Sequence, residues 1–122
     1  MNQSLRGKAA FVTGAGSGLG EATALALGSA GCAVACLDLN QEGAERTAGA
    51  LAQIDAPALG LDCDVSDAGS VFAAVERALA EWDRIDIAVN CAAVDYVKSV
   101  DEMSIDQWDR VIAVNLRGPF LV

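Results

Sequence analysis

A doubly wound α/β fold with a parallel sheet is the architecture this sequence predicts, on three observations. Short apolar runs alternate with helical patterns along the whole chain. Hydrophobic residues fill 53% of the 122 positions while aromatics supply only 5%. A core of Ala, Val, Leu and Ile suits helices packed closely on strands that are buried on both faces. The connections are short, as β-α-β-α units require.

The first strand is expected over about 8–13, where Ala9-Ala10-Phe11-Val12 is apolar without a break. A glycine-rich turn then leads into a helix over about 18–30. A strand at 33–38 is followed by a helix over 41–54, with Asn40 at its N-cap position. The third strand, 58–63, precedes a helix over 67–82. In that helix Ser66 is placed as the N-cap, and Val71, Val75, Ala78, Leu79 and Trp82 make one apolar stripe. A fourth strand spans 86–91. The last helix, from 104 onward, opens on a capping box of Ser104 and Gln107.

Right-handed crossovers give the strand order 3-2-1-4, truncated after about four strands, and leave the fourth strand as an open edge. Direction reverses between strands one and four, which opens a crevice at their carboxyl ends where ligands of such sheets bind. With no repeat and no linker, residues 1–122 read as a single domain, incomplete at its C-terminus.

The net charge of −9, with eight scattered Lys and Arg, argues against nucleic acid and anionic membranes, which need basic patches. The chain has no His, and Cys32, Cys36, Cys63 and Cys91 form no C-x-x-C pair, so neither a metal site nor a disulfide framework is expected. No apolar run approaches membrane-spanning length and no signal peptide is evident, which points to the cytoplasm.

Thr13 to Gly20 read Thr-Gly-Ala-Gly-Ser-Gly-Leu-Gly. The G-x-G-x-x-G pattern fails, because its last position is Leu19 when counted from Gly14 and Glu21 when counted from Gly16. T-G-x-x-x-G-x-G fits, with Thr13, Gly14, Gly18 and Gly20 in register. A strand turning through glycines into a helix cradles phosphate on backbone N–H groups, aided by the helix dipole. Asp38 ends the second strand, where a dinucleotide fold places an acid against the adenosine ribose hydroxyls. A carboxylate there repels a 2′-phosphate, and Ala15, Gly16, Ser17, Leu39 and Asn40 supply no cation. Arg46 reads as a solvated face residue. NAD is therefore favoured over NADP, and the fold is expected to be Rossmann-like.

Three further segments occur in order: Asp62-Cys63-Asp64-Val65, Asn90-Cys91-Ala92-Ala93 and Val114-Asn115-Leu116-Arg117-Gly118. With Thr13–Gly20, they resemble the short-chain dehydrogenase/reductase family, in its non-extended form, over essentially the whole chain. The resemblance implies that Gly14, Ser17, Gly18, Leu19 and Gly20 surround a pyrophosphate, and that Asp38 and Leu39 meet the ribose. It places Asp64 and Val65 at the adenine, with Asn90 and Ala92 lining the cofactor beyond. Asn115 matches the asparagine of the family's Asn-Ser-Tyr-Lys catalytic set. Where the family has Asn-Asn-Ala-Gly, this chain has Asn90-Cys91-Ala92-Ala93, and Ala93 in place of the glycine adds a methyl beside the nicotinamide.

Pro119 has no N–H to give the Asn115 carbonyl, so the last helix is expected to kink there. In the family a water on that carbonyl serves the proton relay. The family's catalytic serine and Tyr-x-x-x-Lys pair are not found: Tyr96 is followed four positions later by Val100. The resemblance thus implies the cofactor-binding part of an NAD-dependent oxidoreductase that moves hydride between the nicotinamide and an alcohol or ketone. This part is expected to be inactive alone and to form a dimer or tetramer when full length. Two other readings fit the pattern: a non-catalytic NAD-binding module or truncated relic, and a flavodoxin-like mononucleotide binder.

Overall fold

Strands β1 (Ala9–Thr13), β2 (Ala33–Asp38), β3 (Ala58–Asp62) and β4 (Ile87–Asn90) form one parallel sheet in the order β3-β2-β1-β4. They come from a computed structural model that describes residues 4–122. Helices α1 (Gly18–Ser29), α2 (Gln41–Ala52) and α3 (Ala68–Trp82) connect successive strands. The chain then runs through a loop into α4 (Ile105–Val111), a π-helical segment (Ile112–Arg117) and α5 (Gly118–Leu121). The expected order and topology are the ones observed.

The period-two alternation of a strand divides the core between two faces. On one face Ala10 and Val12 of β1 and Val34 and Cys36 of β2 pack with Ala24 of α1 and Leu51 of α2. On the other, Phe11, Ala35 and Leu37 pack with Val71, Ala74 and Ala78 of α3 and with Val114 of the π segment. Both faces of the central strands are therefore buried, as their uninterrupted apolar runs require. Burial also pushes the Cys36 thiol up to about 12, so it behaves as a small apolar group.

Side-chain caps set the starts of three helices. Asn40 accepts from the Gly43 N–H, and Ser104 and Gln107 form the expected reciprocal box. The start of α3 differs from expectation: Asp67, not Ser66, is the N-cap and accepts from Gly69. The Ser66 hydroxyl is engaged elsewhere, donating to Asp64 Oδ1 at 2.6 Å and accepting from Arg110 Nη1 at 3.2 Å. The buried row of α3 is Val71, Ala74 and Ala78, while Leu79 is 42% exposed. One residue past that row turns the side chain by about 100°, off the sheet. Ahead of Pro119 the last helix widens into the π segment, since a missing N–H shifts the bonding register.

Two contacts bring β1 and β4 together at opposite ends. At the entry, Asp86 N–H donates to the Ala9 carbonyl at 2.8 Å, and Ala9 N–H donates to Asp86 Oδ2 at 2.9 Å. Arg84 holds the same carboxylate through two bonds of 2.7 Å. At the exit, Gly14 adopts φ +65°, and a Cβ there would lie 2.7 Å from the Ala92 nitrogen.

Arg84 and the Ala9 N–H hold the Asp86 carboxyl at about 2, below the ordinary carboxylate range. A depressed folded-state pKa stabilises above the unfolded value and is lost as pH falls through the folded one. Asp86→Asn should therefore lower the urea midpoint at pH 7, and its gap from wild type should close between pH 4 and pH 2. Gly14→Ala should cost about 2 kcal/mol or more in denaturation, from left-handed strain plus the collision with the β4 exit.

Candidate active site: a cleft at the carboxyl ends of the strands

The turn from β1 into α1 leaves backbone donors unused. Ser17 is the N-cap of α1 but makes no side-chain capping bond, in contrast to Asn40, Asp67 and Ser104. The first-turn N–H groups of Gly18, Leu19 and Gly20 have no intrahelical acceptor by geometry. Gly18 has φ +55°, with no atom within 4 Å of where a Cβ would sit, so this corner is open.

Neighbouring side chains hold the turn in shape. Thr13, buried at the end of β1, accepts from the N–H groups of Cys91 and Ala92, both at 3.2 Å. Thr47 of α2 donates to the Ala15 carbonyl at 2.8 Å. Arg46 of the same helix donates to the Gly16 carbonyl at 3.0 Å. The expectation of a merely solvated Arg46 is thereby corrected: its long side chain reaches back across the first turn of α2 to the glycine turn.

Asp38 accepts from Gly16 N–H through Oδ2 at 2.8 Å and from Asn40 N–H through Oδ1 at 2.9 Å. Each carboxylate oxygen keeps a further lone pair for a hydroxyl donor. These two bonds fix the carboxylate between the ends of β1 and β2.

A cleft of about 390 Å³ opens at this end of the sheet. Gly14, Ser17, Gly18, Leu19 and Gly20 line it, together with Asp38 and Leu39. Cys63, Asp64 and Val65 follow β3, and Cys91, Ala92, Ala93 and Val94 follow β4. Arg110 and Val114 reach the cleft from the last helical stretch. The structure thus gathers ten of the sequence-predicted residues around one space. Asn90 is placed outside that lining, exposed at the end of β4 and opposite Thr13.

Asn115 is also outside the lining and acts on the cleft through a neighbour. Its Oδ1 accepts from Val94 N–H and its Nδ2 donates to the Val94 carbonyl, both at 2.8 Å. Its amide therefore fixes the loop after β4 rather than pointing at a ligand.

Near Asp64 lies a group that sequence reasoning missed. Asp64 Oδ1 accepts from the Ser66 hydroxyl at 2.6 Å and the Ser66 N–H at 3.0 Å. The Ser66 hydroxyl leads in lowering the Asp64 pKa; the Ser66 N–H and the Arg110 charge act in the same direction. Arg110 Nη1 donates to Ser66 Oγ at 3.2 Å. The available signal was the position of Arg110, five residues ahead of Asn115 on one helix. Among the described residues no three His, Cys, Asp or Glu side chains gather as a metal site, and no helix is long and apolar enough to cross a membrane.

Comparisons with known proteins agree with this geometry. A D-threitol dehydrogenase of Mycolicibacterium smegmatis is 47% identical over 118 residues, covering 97% of this chain and 45% of that protein. A crystal structure of a 3-ketoacyl-ACP reductase from Sinorhizobium meliloti superposes with a TM-score of 0.89 at 38% identity, over 93% of this chain and 45% of the other. The 3-ketoacyl-(acyl-carrier-protein) reductase of Brucella melitensis, complexed with NADH, gives 0.86 at 37% identity, over 96% and 48%. The chain thus spans a little under half the length of these relatives. They replace the flavodoxin-like alternative. The family model described as short chain dehydrogenase matches residues 8–122. On that match, and on a β3-β2-β1-β4 sheet with its glycine turn at the cleft, the chain belongs to the short chain dehydrogenase family of NAD(P)-binding oxidoreductases.

Proposed function

We propose that residues 1–122 form a single NAD-binding Rossmann domain, the cofactor-holding part of an oxidoreductase acting on a small alcohol or ketone. The observation that carries this reading is the uncapped, glycine-lined start of α1 beside the doubly anchored Asp38 carboxylate. The residues present fit a dinucleotide. Bare N–H groups at Gly18, Leu19 and Gly20 suit a pyrophosphate in a protein of net charge −9, because the positive potential comes from main chain and helix dipole.

Asp38 would accept from the ribose hydroxyls and exclude a 2′-phosphate, which favours NAD over NADP. Leu39 would cover the ribose, while Asp64 and Val65 would meet the base. Ala92 and Ala93 would lie along the nicotinamide end, near Asn90. The nicotinamide, when bound, supplies the hydride-transfer chemistry. Asn115 would keep the wall formed by Val94 in place beneath it. Within residues 1–122 no Tyr-x-x-x-Lys pair occurs, so this chain alone is proposed to bind cofactor without turnover. The same reading places the whole protein in the cytoplasm as a homo-oligomer, a dimer or tetramer.

Isothermal titration should find NAD⁺ bound at least about tenfold more tightly than NADP⁺, a gap of about 1.4 kcal/mol. Asp38→Asn should narrow that gap, chiefly by weakening NAD⁺. Undetectable binding of both cofactors would overturn the reading. Asn115→Ala should weaken NAD⁺ about fivefold, close to 1 kcal/mol. Its affinity for 5′-AMP should stay within about twofold, because the loop it releases lies at the nicotinamide end.

A further inference from the structure

Arg110 sits on the cleft with a defined task that the cofactor reading leaves unassigned. Its Nη1 donates to Ser66 Oγ at 3.2 Å, and that hydroxyl donates onward to Asp64 Oδ1 at 2.6 Å. The Ser66 N–H takes a second position on the same oxygen, at 3.0 Å. Asp64 Oδ1 is thus occupied by protein donors, and among the described residues none bonds Oδ2. Asp64 and Arg110 both line the cleft, so an ionised, oriented acceptor is presented on the wall after β3.

The helix that carries Arg110 also carries Asn115. In a regular α-helix residues five apart diverge by about 140°. Hydrogen bonding from i to i+5 instead stacks such residues on one face. The π segment, Ile112–Arg117, begins two residues after Arg110 and contains Asn115. One helical stretch can therefore hold the loop after β3 through Ser66 and the loop after β4 through Val94.

Resting on the cofactor reading, we propose that Arg110 is a positioning residue for base selection. Through Ser66 it fixes Asp64 so that the free carboxylate oxygen accepts from an exocyclic amino group of the bound purine. An amino purine such as adenine supplies that donor. A 6-oxo purine presents a carbonyl oxygen to the same carboxylate and is repelled. A site built to hydrogen-bond a donor disfavours the analogue that lacks it, because the half-buried Asp64 acceptor is then left unpaired. Lys at 110 would keep the charge but lose the planar fork that reaches Ser66.

The test is titration of the intact protein with 5′-AMP and 5′-IMP, which differ on one edge of the purine, at position six and in the proton that N1 gains in the 6-oxo form. Wild type should bind 5′-AMP at least about fivefold more tightly than 5′-IMP. Arg110→Gln and Ser66→Ala should each bring that ratio to within about twofold of unity, mainly through weaker 5′-AMP binding. The double variant should add little beyond either single change, because both break one chain of bonds. Arg110→Lys should retain part of the discrimination, and melting curves of the four variants report whether each is folded.

An unchanged ratio in Arg110→Gln would overturn the assignment. So would equal loss of both nucleotides, which is what a merely structural role produces. Equal binding of the two nucleotides by wild type overturns the role of Asp64 in base selection and leaves the cofactor cleft standing. Failure of wild type to bind 5′-AMP at all overturns the nucleotide reading itself.

Discussion

The hydroxyl of Thr13 is the contact on which the site depends. In an open parallel sheet the strands on either side of the reversal must part at their carboxyl ends to make room for a ligand. Thr13 limits that parting by accepting from two consecutive N–H groups just past β4. With Gly14 pressed against Ala92, the glycine turn and the loop after β4 behave as one wall, although the bonded pair Thr13 and Cys91 lie 78 positions apart in sequence. At the other end of the same strand pair, Asp86 bonds the first residue of β1. The β1–β4 pairing is therefore anchored at both ends while its outer edge stays open.

The helices complete the site by gripping turns as well as packing on the sheet. Arg46 and Thr47 of α2 take the carbonyls of Gly16 and Ala15, and Asp38 takes the Gly16 N–H from the end of β2. The glycine turn is thus held on its acceptor side by one helix and on its donor side by a carboxylate. The first-turn amides of α1 are left for something else. Three other helices spend a side chain on their own N-termini, so the bare end of α1 stands out as available donor capacity.

Much of this was readable from residue order. The uninterrupted apolar runs at Ala9–Val12 and Ala33–Leu37 marked strands buried on both sides, and they are. Glycine spacing after Thr13 located the turn, and Asn40 and Ser104 marked helix starts correctly. The misjudged positions share a cause. Ser66 looked like a cap because capping is a local habit of serine, but its hydroxyl donates to Asp64 in the same loop and accepts from Arg110, 44 positions further on. Arg46 looked solvated because its helix partners are polar, and the turn it bonds is 30 positions away. Leu79 fell outside the buried row because helical phase is set by the sheet beneath, which takes Val71, Ala74 and Ala78.

Order along the chain, the period of its apolar residues and the placement of its glycines determined the layered α/β fold, the strand order and the position of the glycine turn that lines the cleft. Those features follow from local sterics and from right-handed crossovers, which any single stretch of sequence carries in itself. Only the tertiary structure decided that Asn115 grips Val94, that Arg110 reaches Ser66, and that a widened helical turn lies between them. Each depends on the distance between groups brought together by the sheet, and a hydrogen bond reports on space that linear spacing does not encode.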